Sequence, residues 1–283
     1  MSFNEYILAN ELTIRLSFFI TILAAIAIWE IIAPKRLLTI SKGLRWFNNI
    51  ALVVVNSIVI RLIFPTAAIG VAYFAQTHGW GLLHYYPIPT GFSVLISVIA
   101  LDFIIYLQHV LVHAIPALWR LHRVHHADMD IDVTTGARFH PLEIILSMLI
   151  KFATIVVLGP PVIAVIIFEI LLNGTAMFNH GNISLPKRAD KVLRLFMVTP
   201  DMHRVHHSVE VDETNSNFGF NLPWWDRLFG TYRDQPRAGH IDMQIGIHGL
   251  RDTKQVQHLS GMLQIPFRGK INDYVINRRD HSE

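Results

Sequence analysis

Four apolar runs, at residues 12–33, 46–75, 88–107 and 142–178, constrain this chain more than any other feature. A hydrocarbon core about 30 Å thick is crossed by roughly 20 helical residues, a length the first three runs reach. The fourth is broken by Gly159-Pro160-Pro161 and predicts two shorter helices around a proline turn. Only 16% of the residues are charged, where a soluble domain carries about 25%. The fold expected is all-α: an integral-membrane, multi-pass bundle of about four to five helices.

Loop charge sets the orientation. Residues 34–45 carry Lys35, Arg36, Lys42 and Arg45, while residues 76–91 carry no Lys or Arg. The positive-inside rule places the first loop in the cytoplasm and the second outside. The third helix then ends in the cytoplasm near His109, the fourth run leaves and returns, and the polar residues 186–283 form a cytoplasmic helical cap. Arg61 interrupts the second run. A central arginine is costly in lipid, so it is expected to face protein or a wet crevice, paired with Asp102 or Glu169, or to reach an interface where the run bends at Pro65. The N-terminal residues are acidic and do not open like a cleavable signal peptide. The last residues, 273–283, are polar and expected to be loose.

Other absences narrow the chemistry. No cysteine is present, which excludes disulfides, thiolate zinc sites, iron–sulfur clusters and thiolate-ligated haem. A net charge of +3 without a basic stripe or recognition motif gives no reason to expect nucleic-acid binding.

Ten of the sixteen histidines lie between positions 109 and 207. His109 and His113 are four apart, so both leave one face of the third helix. His122, His125 and His126 form an HxxHH motif, which His203, His206 and His207 repeat. On a helix such a triplet projects three imidazoles from one face, and neutral imidazole suits Fe, Zn, Cu or Ni. Eight clustered histidines exceed the ligand number of one first-row ion; two ions fit the count. Zinc alone needs fewer ligands, and HExxH is absent. Asp102, Asp128, Asp130, Asp132, Asp201 and Asp226 lie near the motifs in sequence as candidates to orient the rings. His78, His84, His240, His248, His258 and His281 are expected to be ordinary side chains.

The runs Leu121-His122-Arg123-Val124-His125-His126, Thr134-Thr135-Gly136-Ala137-Arg138-Phe139-His140-Pro141 and Asn179-His180-Gly181-Asn182 resemble the fatty acid hydroxylase superfamily, which includes the sterol desaturases. His203-Arg204-Val205-His206-His207-Ser208 and Trp225-Asp226-Arg227-Leu228-Phe229-Gly230 continue the match, which covers residues 99–233. The resemblance implies a membrane di-iron oxygenase or desaturase acting on a lipid from the bilayer, of sterol, fatty-acyl, carotenoid or alkylglycerol type. It uses O2 and electrons from an external donor protein or small reductant. It implies His109, His113, His122, His125, His126, His203, His206 and His207 as ligands of two irons, with His180 a ninth and His140 a candidate tenth. Asn179 or Asn182 would hold a metal-bound water, with Asp102 and Asp226 as further supporting residues. Zinc could replace iron in a purified sample. The end of the match also resembles the tetrahydropterin-dependent alkylglycerol monooxygenases, which adds a pterin as a candidate reductant. Arg123, Arg138 and Arg204 are candidates to meet a polar head.

The division expected is membrane helices over residues 1–98, a catalytic region over 99–233 and a cytoplasmic tail over 234–283. Two other classes compete with the oxygenase: a metal transporter or sensor, which needs ionisable residues along a path through the bilayer, and a zinc-dependent membrane hydrolase, against which the ligand surplus argues.

Overall fold

Every apolar run becomes helix, and two of them break where the residues forbid continuation. The computed structural model describes residues 3–64, 66–86, 88–270 and 274–276. Pro65, His281 and the 273–283 tail apart from Tyr274, Val275 and Ile276 lie outside the described residues; Tyr274 and Val275 are buried, contrary to the expectation of a loose tail. The first helix, α1, spans Phe3–Ile32. The second run divides into α2 (Lys42–Ile63) and α3 (Ala68–Thr77). Phe64, the residue before a proline, is extended at φ −113° and ψ 104°, as the steric conflict with the following ring requires. The expected single helix over 46–75 is therefore two. A short α4 (Leu82–Tyr85) leads to α5, Thr90–Ala114. Pro116 then opens α6 (Pro116–His126) at its first turn, where its missing N–H costs nothing.

The fourth run forms the expected hairpin. Its first arm, α7 (Pro141–Leu158), is capped by the His140 side chain and closes on Gly159 in the left-handed region, φ 67° and ψ 49°. After Pro160-Pro161 comes α8, Val162–Asn179. Among the described residues, five stretches are long and apolar enough to cross a membrane: α1, the stretch Lys42–Tyr85, α5, α7 and α8. Their outer faces carry Leu62, Val157 and Ile32, exposed by 80%, 63% and 75%. Each such side chain would lose about 1.5–3 kcal/mol of burial energy in water, and loses none against lipid. This is a membrane protein.

Inside the bundle, Ile69 and Ala72 of α3, Leu101 and Ile105 of α5, Ile155 of α7 and Phe168 of α8 form the apolar core. Beyond Asn179 the described residues make short helices: α9 (Lys187–Leu193), α10 (Pro200–His206), α11 (Val211–Thr214), α12 (Trp224–Leu228), α13 (Gly239–Asp242), α14 (Thr253–Gln257) and α15 (Leu259–Met262). Among the described residues there is no strand, only isolated bridges such as Pro34 with Ile183. The C-terminal segment closes a second core, in which Trp119 and Val124 of α6 pack with Ile247, Val256, Met262 and Ile265. The amphipathic α6 is thus held between the membrane helices and this layer, and it carries the first HxxHH motif.

Candidate metal centre

Nine histidines converge in two groups. His109 and His113 from α5, His122 and His126 from α6 and His206 from α10 form one; His125, His180, His203 and His207 form the other. Within each group the ring nitrogens lie within 4.8 Å of one another. Each HxxHH motif serves both groups, a departure from the expectation that a triplet shares one face. At about 100° per residue, positions i and i+4 lie about 40° apart, whereas i+3 is displaced to the other side. In α6, His122 and His126 turn one way and His125 the other. In α10, His203 and the capping His207 join one group and His206 the other. The two helices are stitched together through both groups.

The outward nitrogens are fixed first. His109 Nδ1–H donates to the Phe218 carbonyl at 2.7 Å, His206 Nδ1–H to Ser216 at 2.7 Å, and His180 Nδ1–H to Ala176 at 2.6 Å. His113 Nδ1 meets Asn215 Oδ1 at 3.1 Å, and His122 Nδ1 meets Glu143 Oε1 at 2.6 Å. Acceptors on the Nδ1 side assign the proton there and leave each Nε2 with a bare lone pair. The Nε2 atoms of both groups face each other, although Nδ1 of His125, His126, His203 and His207 is buried without an acceptor. His109 Nε2 and His122 Nε2 are 3.1 Å apart, and His180 Nε2 lies 3.1 Å from those of His125 and His207 and 3.0 Å from that of His203. Nε2 of His113, His126 and His206 is buried with no hydrogen-bond partner. Lone pairs packed this way repel unless a cation lies among them. Two nitrogens each about 2.1 Å from one ion and at right angles to it are about 3.0 Å apart. The residues fit a metal in each group. The donor set is imidazole alone, which suits iron, zinc, copper or nickel rather than magnesium or calcium.

His125, His126, His203, His206 and His207 are held well below the ordinary histidine value by desolvation and then by one another, and His180 is lowered to about 4.

The supporting residues differ from those expected. None of the six nearby aspartates hydrogen-bonds a ring in either group. Asp226 receives Phe218 N–H and Gly219 N–H at 2.8 Å each, so it fixes the carbonyl that holds His109; burial raises its carboxyl to about 6. Asp102 receives the Asn221 side-chain amide and Trp225 Nε1 at 2.8 Å and secures the same loop. Asp128 and Asp132 grip Arg45, Asp130 accepts from Thr39 and Ile40, and Asp201 pairs with Lys35 and Arg204. Asn179 donates to the Phe220 carbonyl, with its Oδ1 buried and unpartnered, and Asn182 brackets Arg36. His140 lies outside both groups, capping α7 with Nδ1 and meeting the Leu263 carbonyl with Nε2. Arg138 is fully buried on the carbonyls of Val124 and Val256, and Arg123 is spent on those of Ile265 and Lys270. Neither is free to meet a lipid head.

Glu143 is the carboxylate the sequence did not single out. Replacing it with Leu should cost about 10–100-fold in metal affinity or activity, with Glu143→Gln milder because its amide oxygen still accepts. Chelator titration of the metal-loaded protein measures this, and an unchanged affinity in Glu143→Leu would show that His122 is held by its packing alone.

A cavity of about 440 Å³ adjoins the larger group. His109, His122, Glu143 and Phe139 line one end, Leu16, Phe19, Ile60, Ile105, Met148 and Leu172 the walls, and Arg15, Arg61, Lys151 and Glu169 the other end. Arg61 therefore faces a crevice as expected. Neither expected partner holds it, since Asp102 is engaged by α12 and Glu169 by Lys151 and Arg15.

A family model described as fatty acid hydroxylase matches residues 94–231. The chain is 28% identical over 269 residues to an ornithine lipid hydroxylase of Rhizobium tropici, covering 92% of this chain and 78% of that one. It is 27% identical over 148 residues to the alkylglycerol monooxygenase of Homo sapiens, covering 50% of this chain but only 30% of the relative. A fatty acid hydroxylase of a Lecanicillium species is 26% identical over 187 residues, covering 62% of this chain and 49% of the relative. No solved structure matches. The histidine geometry and these relatives agree: residues 94–231 are a fatty acid hydroxylase domain, and the relatives are named lipid hydroxylases and monooxygenases, which are oxidoreductases.

Proposed function

We propose that the protein is a di-iron hydroxylase that converts a C–H bond of a membrane lipid to C–OH. One C–H and one O2, with two electrons and two protons from an external donor, give the alcohol and water. When bound, two irons held by the groups of five and four histidines supply the redox chemistry that divides O2. The observation that carries this reading is the placement of nine imidazoles in two groups with their ring nitrogens turned toward one another, the larger group meeting the end of a largely apolar cavity.

The chain's own residues do the rest. Glu143, Phe218 and Ser216 hold ligand rings at their outer nitrogens. Phe139 stacks on His125 at 4.5 Å and, with Phe220, keeps water from the reacting carbon. The apolar walls align the lipid chain, converting a bimolecular encounter into a positioned one. The basic loop carrying Lys35, Arg36, Lys42 and Arg45 supports a cytoplasmic centre within reach of a soluble donor.

Hydroxylation is favoured over desaturation because the relatives are named hydroxylases and monooxygenases. A hydrolytic zinc site has no use for nine ligands, and transport has none for a buried pair of closed cages. Anaerobic purification should give about two irons per chain, since first-row ions of this kind accept imidazole sets of this size. Lipid profiles of a deletion strain should lose a lipid one oxygen heavier than its precursor, with the lost oxygen derived from labelled O2. One zinc per chain and O2-independent lipid changes would overturn the reading.

A further inference from the structure

The end of the cavity remote from the histidines is charged in a way the bundle does not balance. Lys151 Nζ lies 2.9 Å from Glu169 Oε1, and Arg15 Nε lies 3.4 Å from Glu169 Oε2, so one carboxylate serves two cations. Arg61 makes no hydrogen bond and no close ion pair among the described residues; its electrostatic neighbour is Glu11. At this end three cations face two carboxylates, Glu11 and Glu169, which leaves one positive charge in excess; the cavity's third carboxylate, Glu143, lies at the histidine end, bound to His122. Arg61 is exposed in the last turn of α2, so this excess positive charge is open to a ligand of opposite sign, and charged groups on membrane helices are kept for such contacts.

We propose that this end is an anion site: Arg61, Arg15 and Lys151 bind the single carboxylate or phosphate of an amphiphilic lipid and thereby set which carbon is oxidised. Glu143, beside His122, and Lys151 lie on the same helix, α7, eight residues apart, which is about 12 Å of helical rise. The carbon presented to the centre is therefore well along the chain from the anionic group, and regiochemistry follows from that spacing. Leu12 and Leu16 of α1 and Ser57 and Ile60 of α2 line the cavity, and α1 packs chiefly on α8, so the lipid would enter between α1 and α2.

The proposal rests on the lipid-hydroxylase reading for what happens at the histidines, but binding at the charged end is measured without turnover. The metal-loaded, full-length protein in nanodiscs of neutral lipid would be titrated with radiolabelled hexadecanoic acid, hexadecyl phosphate and methyl hexadecanoate. A charge-assisted contact predicts that the acid or the phosphate binds about tenfold or more tighter than the ester. Whichever of the two is tighter identifies the carboxylate or the phosphate as the natural group. Arg61→Gln should collapse that preference and Arg61→Lys should keep most of it. Equal binding of acid, phosphate and ester by the unaltered protein, or a full preference retained in Arg61→Gln, would overturn the proposal. If Arg61→Gln does not accumulate, the unaltered protein and Lys151→Gln decide the same question. A preserved preference in a protein that oxidises no lipid would instead sink the function and leave the anion site standing.

Discussion

His125→Ala should lose the same metal as His203→Ala, and not the metal lost by its motif neighbours His122 and His126. Its ring belongs with His180, His203 and His207, although its sequence neighbours belong to the group of five. Removing one ligand from the group of four leaves three, too few for an ion that the rest of the cage cannot otherwise complete. The expected result is a protein with about one iron per chain and lipid oxidation down by a hundredfold or more, because even residues that only support ligands are worth about 10–100-fold. His113→Ala or His206→Ala leaves four imidazoles in the larger group, so metal should be retained better there while activity still falls. His258→Ala, outside both groups, should change neither. Metal analysis separates the cases, and spectroscopy of the remaining ion should give the same signature for His125→Ala and His203→Ala. A His125→Ala signature matching His122→Ala would refute the division of the motif between two ions.

The division also shows where sequence stops being informative. Spacing within one helix is local, so His109 with His113 and the two HxxHH triplets were legible as candidate ligands without any tertiary knowledge. Which group each ring joins depends on how α6 and α10 cross, and that is set by packing against α5 and α8. His180 entered only through the family resemblance, since a lone histidine carries no spacing. Phe218 and Ser216 contribute backbone carbonyls, for which residue type is almost irrelevant, so no pattern could have marked them. Glu143 was silent for another reason. It lies beyond the loop 127–140, and nothing local shows that this loop folds back to bring the start of α7 beside His122. The aspartates were conspicuous in sequence, yet their charge is spent on arginine, lysine and backbone amides rather than on imidazole. The membrane helices were legible from run length alone. The break after Ile63 coincides with the end of the cavity that the charged residues occupy, so a local steric rule there has a functional setting.

That loop is held by Arg45, and its removal should have the largest effect of any change outside the histidines. Arg45 is fully buried at the start of α2 and reaches Asp128 Oδ1 at 3.0 Å, Asp128 Oδ2 at 2.8 Å and Asp132 on the same side. Thr135 Oγ1 and Gln257 Nε2 add hydrogen bonds to Asp128 at 2.9 Å and 3.1 Å. Burial by itself would raise the Asp128 carboxyl, but the guanidinium groups of Arg45 and Arg138 outweigh it and hold the group well below the carboxylate range. The cluster ties α2 and α14 to the exit of α6, two residues past His126. Arg45→Met leaves two carboxylates buried without their main partner, a change that costs about 3–5 kcal/mol. Net stability is only about 5–15 kcal/mol, so the variant should unfold at markedly lower temperature in detergent and lose metal as the α6 exit loosens. Arg45→Lys cannot bridge both carboxylates and should recover only part of the loss. The discriminating protein is Arg45→Met combined with Asp128→Asn and Asp132→Asn. If unpaired charge is the cause, the triple variant should be more stable than Arg45→Met, even though it carries more substitutions. If it is no more stable, the arginine acts by filling space, and the ionic account of this loop is wrong.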